Sequence, residues 1–370
     1  MVMKKILLLC CLFTIGMGWS QPYSFQTIKE ISCQPVLSQG NTGTCWSYST
    51  ISFLEAEIIR ISGKKINLSE MYQVRNTYVK KAENYVSRQG KAQFSEGGLS
   101  HDVINSLQAF GLVPEEAFSG LNGQQTSHNH AELQALLEGM LKVFVENPGK
   151  KLSTNWKTSI EAVLDIYLGK NPTEFMYEGK KYTPQTFAKF TQLNPSDYVS
   201  LTSFTHAPYY SSFILNIPDN FSNGHFYNLP LEEWIACVDV ALEKGYSLAL
   251  DCDVSEPTFS GKHGIAVIPQ EETDVKSILT ESKPEMVVTA SNRQAAFENL
   301  TTQDDHLMHI VGTVKDQNGK LYYKVKNSWG SDSGKDGFIY MSVAYLQLKG
   351  ISVMVHRKAL PEKTTKQLGL

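Results

Sequence analysis

Cys45 follows two glycines, Gly40 and Gly43, and heads an apolar stretch in which Trp46, Thr50, Phe53, Leu54, Ile58 and Ile61 recur at helical spacing. A thiol at a helix N-terminus meets free backbone N–H groups and the positive end of the helix dipole. Both should lower its pKa and favour the thiolate, which is the nucleophile. The glycines let the chain turn tightly just before it. Gln39, six residues earlier, can turn a side-chain N–H toward the same point. With the Cys45 backbone N–H it would hold an oxyanion. Downstream, His306 opens a strand pattern in which His306, Met308 and Ile310 share one face and His309 takes the other. Asn327 closes the following strand. Its side-chain carbonyl suits the second ring nitrogen of an imidazole that acts as a base. A lone cysteine would read as a buried structural thiol; the four residues together point to nucleophilic attack on an acyl carbon.

These residues need elements to hold them. A helix is expected from Cys45, capped by Thr42 or Thr44 and ended by Gly63. A second opens at Leu68-Ser69-Glu70, and a third runs over Asp102 to Phe110 before Gly111. Between about 120 and 225 lies an apparent insertion with helices at Ala131 to Glu146 and Thr183 to Thr191, and loop and short strands from Pro208 to Asn223. Leu231 to Lys244 reads as an amphipathic helix and Ser247 to Val254 as an apolar strand. Strands follow at Leu307 to Val314, Leu321 to Lys326, Phe338 to Ser342 and Ile351 to Arg357. A two-residue turn at Asn318-Gly319 would set His306 opposite Ser331, four positions beyond Asn327. The spacing therefore predicts a longer loop centred near Asp316 and Gln317, or a bulge. The expected class is α+β: a helical lobe over 21–225 carrying the nucleophile, a β-rich, antiparallel, barrel-like lobe over 226–361 carrying the histidine and asparagine, a tail over 362–370, and a cleft between the lobes.

The composition of the 370 residues is that of an ordinary globular chain, 42% hydrophobic and 19% charged, with a formal net charge of -3. No basic stripe argues for nucleic acid. Two lysines, a short apolar run from Ile6 to Met17 and the small residues Gly18 and Ser20 read as an export signal over 1–20, with Gln21 the first mature residue. The run is too short to span a bilayer, and a lipid anchor at Cys10 or Cys11 fits less well because no small residue precedes either. The expected location is secreted or periplasmic. Cys33, Cys237 and Cys252 read as small buried hydrophobes, with Cys237 and Cys252 the one pair to check for a bond. His101, His128, His130, His225 and His263 lack the spacing of a metal site, so no metal or cofactor is expected. Asp304 and Asp305 read as a solvated turn, with steering of a substrate amino group as the alternative.

Gln39-Gly40-Asn41-Thr42-Gly43-Thr44-Cys45-Trp46, then Asp305-His306, then Lys326-Asn327-Ser328-Trp329-Gly330, in that order, resemble the papain superfamily of cysteine peptidases. Leu250-Asp251-Cys252-Asp253-Val254, Tyr182-Thr183-Pro184, Tyr227-Asn228-Leu229-Pro230 and Val355-His356-Arg357-Lys358 resemble its bleomycin hydrolase and aminopeptidase C branch. So does the interval of 261 residues between Cys45 and His306, which leaves room for a large insertion. The resemblance implies catalytic roles for Cys45, His306, Asn327 and Gln39, and an indole at Trp329 that shields the His–Asn bond. It also implies substrate backbone along Gly97 and Gly98, a peptide or protein substrate, no membrane span, and an assembly that could be a homo-oligomer. Thr42 stands where secreted papains carry a second cysteine, so that disulfide is not expected. The function it implies is thiol-dependent peptide hydrolysis, with aminopeptidase and endopeptidase action both open. The rival reading is a silent papain-like binding protein, against which the complete set of four residues argues.

Overall fold

The computed structural model describes residues 22–370 apart from Gln124 and Pro148. The export signal over 1–20 lies outside the described residues. The Cys45–Ser62 helix starts where expected and stops at Gly63, whose φ of 71° closes it with an N–H to Ile59 O at 2.8 Å. Thr44 occupies the cap position, but its hydroxyl bonds Thr42 Oγ1 at 2.6 Å rather than capping the helix. The expected one-sided stripe is also too narrow: every residue from Cys45 to Ile58 is buried, and Ile61 is partly exposed. This helix is the central post of the molecule, with neighbours on all sides.

The Glu70–Ser87 helix begins at Ser69, whose hydroxyl accepts from Tyr72 N–H at 3.0 Å. Ser100–Phe110, Ala131–Val145 and Pro184–Thr191 follow as expected. Trp156–Leu168 is an additional helix that buries Ile160, Leu164 and Leu168 on one face. These helices share a core that includes Trp46, Phe53, Tyr78, Leu137, Leu164 and Phe187.

The strands form one mixed sheet rather than a closed antiparallel barrel. Its central order is Tyr198–Thr202, Gly350–His356, Leu248–Cys252, His306–Lys315, Leu321–Lys326, Phe338–Ser342, all antiparallel. At the margins Tyr198–Thr202 runs parallel to His225–Asn228, and Phe338–Ser342 runs parallel to Ile265–Ala266. The end strands of the order, Ser212–Ile214 and Phe259–Ser260, do not pair with each other, so the sheet stays open, which corrects the barrel expected from consecutive hairpins. One face packs on the Leu231–Glu243 helix in a second core with Trp234, Leu250, Ile310, Val325 and Val353.

The His306–Lys315 strand belongs to both cores. Leu307 enters the helical one, and Met308 and Ile310 the other. Its first half pairs with Leu248–Cys252 and its second half with Gln26–Glu30. The register to Leu321–Lys326 shifts between Ile310 and Gly312, a bulge, and the hairpin loop covers five residues, Asp316 to Lys320. Loop and bulge together supply two of the four positions that the sequence demanded: the ladder ends at His309 opposite Lys326, so His306 meets Asn327 diagonally rather than as a paired residue, and the loop centres on Asn318 rather than near Asp316 and Gln317. Cys33, Cys45, Cys237 and Cys252 are all free thiols, and Cys237 and Cys252 are fully buried in the second core. Among the described residues no helix is long and apolar enough to cross a membrane.

Candidate active site

The head of the Cys45–Ser62 helix meets the head of the His306–Lys315 strand. The backbone N–H of Leu307, the residue after His306, reaches the Cys45 thiol. The sulfur therefore sits at the strand end that carries the imidazole. Lateral ties hold helix and strand together: Ser49 Oγ donates to Met308 O at 2.5 Å, and Ser52 Oγ bonds His309 Nδ1 at 2.9 Å. Lys326 Nζ donates to Ser52 Oγ at 2.8 Å. His309 is thus a packed, hydrogen-bonded histidine.

His306 Nε2 lies 2.8 Å from Asn327 Oδ1. The Ser328 backbone N–H also donates to Asn327 Oδ1, at 2.7 Å, which fixes that atom as the amide oxygen. An oxygen that only accepts requires a proton on His306 Nε2, so the neutral ring has its lone pair on Nδ1. Trp329 covers this bond, its ring centroid 4.9 Å from that of His306. Burial lowers the His306 pKa, partly offset by the Asn327 bond and by Asp305. The resting imidazole is therefore neutral.

Gln39 is held from three directions. Its Nε2 donates to Thr42 O at 2.6 Å, its Oε1 accepts from Ser328 Oγ at 2.5 Å, and its backbone N–H donates to Ser328 O at 2.9 Å. The second Nε2 hydrogen stays available. The first free N–H groups of the helix are partly spent: Ser47 and Tyr48 both donate to Thr44 O, at 3.0 and 3.3 Å. No described residue accepts from the Cys45 N–H. Two donors thus remain for an oxyanion.

Cys45 itself departs from expectation. Burial pushes its thiol up to about 12; the Leu307 N–H opposes this, while Asp219, Asp304 and Asp251 add to it. Desolvation and three carboxyls oppose the helix dipole, so the surroundings of the sulfur disfavour the thiolate. Gly97 borders a cleft of about 400 Å³ shared with Gly43, Cys45, Glu96, Asp219, Asp305 and Leu307, while Gly98 is buried behind it, where a Cβ would stand 3.1 Å from the Trp46 indole. Sequence reasoning placed all seven site residues near one another but missed Ser328 and Asp219. The first stands inside the Asn327-to-Gly330 motif and was legible there. The second lies far along the chain in the insertion and carried no signal. Among the described residues no group of three potential ligands gathers for a metal.

The Peptidase C1-like family profile matches residues 20–369. The chain belongs to the Peptidase C1-like family. Aminopeptidase G of Lactobacillus delbrueckii subsp. lactis is 25% identical, over 90% of this chain and 83% of that one. Bleomycin hydrolase of Gallus gallus is 23% identical, over 91% of this chain and 83% of that one. The crystal structure of PepW from Lactobacillus rhamnosis superposes with a TM-score of 0.73 at 20% identity, covering 93% of this chain and 84% of that one. This Peptidase C1-like chain is a cysteine-type peptidase that hydrolyses peptide bonds through a thiol.

Proposed function

We propose that the chain is an exported aminopeptidase with a papain-like cleft between a helical and a β-rich lobe, in which Cys45, His306, Asn327 and Gln39 perform the chemistry. His306 Nδ1 takes the Cys45 proton as the sulfur attacks the scissile carbonyl. Gln39 Nε2 and the Cys45 N–H receive the oxyanion. The tetrahedral intermediate collapses, His306 returns its proton to the leaving amine, and a thioester remains on Cys45. Water then loses a proton to His306 and attacks the thioester, which frees the acid and restores the thiol. The observation that carries this reading is the oriented imidazole: the Ser328 N–H fixes Asn327, Asn327 fixes the ring, and the neutral ring keeps its lone pair on Nδ1, at the strand end whose Leu307 N–H reaches the sulfur.

The aminopeptidase assignment draws on relatives named Aminopeptidase G and Aminopeptidase C. Export draws on the lysines and apolar run before Gln21. An epoxide inactivator of thiol peptidases should add once per chain, on Cys45. Cys45→Ala should lower turnover of unblocked peptides by at least about 10⁴-fold while thermal melting is unchanged. Retained turnover in that variant, or an adduct on Cys33 instead, would overturn the assignment.

A further inference from the structure

One wall of the cleft carries carboxyls that this chemistry does not use. Asp219, in the loop after the Ser212–Ile214 strand, lies directly over Gly97: a Cβ built on Gly97 would stand 1.9 to 2.4 Å from the atoms of its carboxyl group. Its loop is rigidly braced. Asn220 Nδ2 donates to Leu215 O at 2.8 Å and to Gly224 O at 3.0 Å, and the Gly224 N–H returns to Asn220 Oδ1 at 2.7 Å. Ser222 Oγ donates to Asp102 Oδ1 at 2.7 Å, while Asp102 Oδ2 accepts the N–H of Leu99 at 2.9 Å. The loop and the glycine edge are thereby joined, with Asp219 lying over Gly97.

Behind Asp219 the negative charge deepens. The Asp219 N–H donates to Asp304 Oδ2 at 3.1 Å. Asp304 in turn meets the carboxyl of Asp251, which is 2% exposed and receives no N–H from any described residue. Burial raises both carboxyl pKa values, that of Asp304 to about 7, and the neighbouring carboxyls add to the shift. The nearest cation, Lys81, is occupied: its Nζ donates to Gly97 O and, at 3.3 Å, to Ser95 Oγ. Among the described residues Asp219 forms no ion pair. Asp219, the Asp251–Asp304 pair and the exposed Asp305 thus face one lysine. A buried carboxyl left without a donor, beside a half-buried one at the mouth of a substrate cleft, suits a cationic ligand.

We propose that Asp219, backed by Asp304, anchors the α-ammonium of the peptide substrate, and that its loop ends the acyl side of the cleft at Gly97. This rests on the aminopeptidase reading and supplies its cause. It also links binding to chemistry. Asp219, Asp304 and Asp251 oppose ionisation of Cys45 in the free protein. An ammonium docked among them offsets that field, so a correctly bound N-terminus eases proton transfer to His306.

The test is a cycle of two proteins and two substrates. Wild type and Asp219→Asn are each assayed on alanyl anilide and on its des-amino analogue, propionyl anilide. Wild type should prefer the free amine by on the order of 100-fold in kcat/KM, and in Asp219→Asn that preference should shrink to a few-fold. Asp304→Asn, tested in parallel in case Asp219→Asn folds poorly, should shrink it in the same direction by less. An equal loss on both substrates would mark Asp219 as structural and overturn the anchor. Cleavage of N-acetyl-lysyl anilide as fast as of alanyl anilide would do the same, because the cleft would then read a basic side chain. If wild type turns over neither substrate and Cys45 resists iodoacetamide, the peptidase reading falls and the anchor with it; turnover with no preference for the amine sinks the anchor alone.

Discussion

The two walls that flank Cys45 are built in opposite ways. On the Gln39 side the amide is held by neutral dipoles: Thr42 and Ser328 hold it at 2.6 and 2.5 Å. On the Gly97 side carboxyls crowd together with few donors, and Asp251 has none. The first wall is ready for negative charge that exists only during the reaction, since fixed N–H dipoles need no reorganisation when the oxyanion forms. The second carries its charge at rest and bears the cost as raised carboxyl pKa values. A neutral wall built of dipoles acts on the transition state; a charged wall acts on what is bound before it.

The largest expected break of this contrast is on the neutral wall. Gln39→Ala removes one of two oxyanion donors and should lower kcat by on the order of 100-fold, about 3 kcal/mol, with KM little changed. Single-turnover kinetics would check it. A rise in KM with kcat intact would mean that Gln39 contacts the ground state instead.

How much of this contrast was legible in the sequence follows from distance along the chain. The neutral wall is local: Gln39 and Cys45 sit on one turn, and Asn327 and Ser328 are adjacent, so motif spacing carried it. The helix at Trp156–Leu168 carried a signal that went unread: Ile160, Leu164 and Leu168 recur at four-residue intervals, but Ala162, Val163, Ile166 and Tyr167 between them blur the stripe. The charged wall was not. Asp219, Asp251 and Asp304 arrive from two loops and one strand, and nothing in their spacing says that they meet. Asp304 and Asp305 looked like a solvated turn, yet Asp304 is half-buried against Asp251 and only Asp305 is exposed. The open sheet was hidden for the same reason. Its parallel margins join His225–Asn228 and Ile265–Ala266 to strands distant in sequence, and alternation within a strand does not reveal its partner.

The charged wall can be broken through stability. Asp304 has a folded-state pKa of about 7 against 3.8 for the free side chain, raised chiefly by burial. Between those values the folded chain holds a proton that the unfolded chain has lost, so this group's contribution is fullest at low pH and is lost as pH rises toward 7. Asp304→Asn cannot lose that proton. From pH 5 to pH 8 the variant should therefore lose less stability than wild type, by roughly 2 kcal/mol. Urea midpoints at the two pH values measure it, and parallel declines would show that the pair is not strained by charge.

The smallest effect sharpens the neutral wall. Ser328 touches no substrate; it acts by donating to Gln39 Oε1, which turns the amide so that Nε2 points at the oxyanion. Ser328→Ala leaves the amide tied through Thr42 O, so the amide loosens without leaving. The cost should be about 1 kcal/mol, close to five-fold in kcat, again without change in KM. The double variant carries the argument. If Ser328 works only through Gln39, then adding Ser328→Ala to Gln39→Ala should cost nothing further, because the group it positions is already gone. Additive losses would instead give the Ser328 hydroxyl a second role beyond Gln39, because alanine keeps the backbone N–H that holds Asn327.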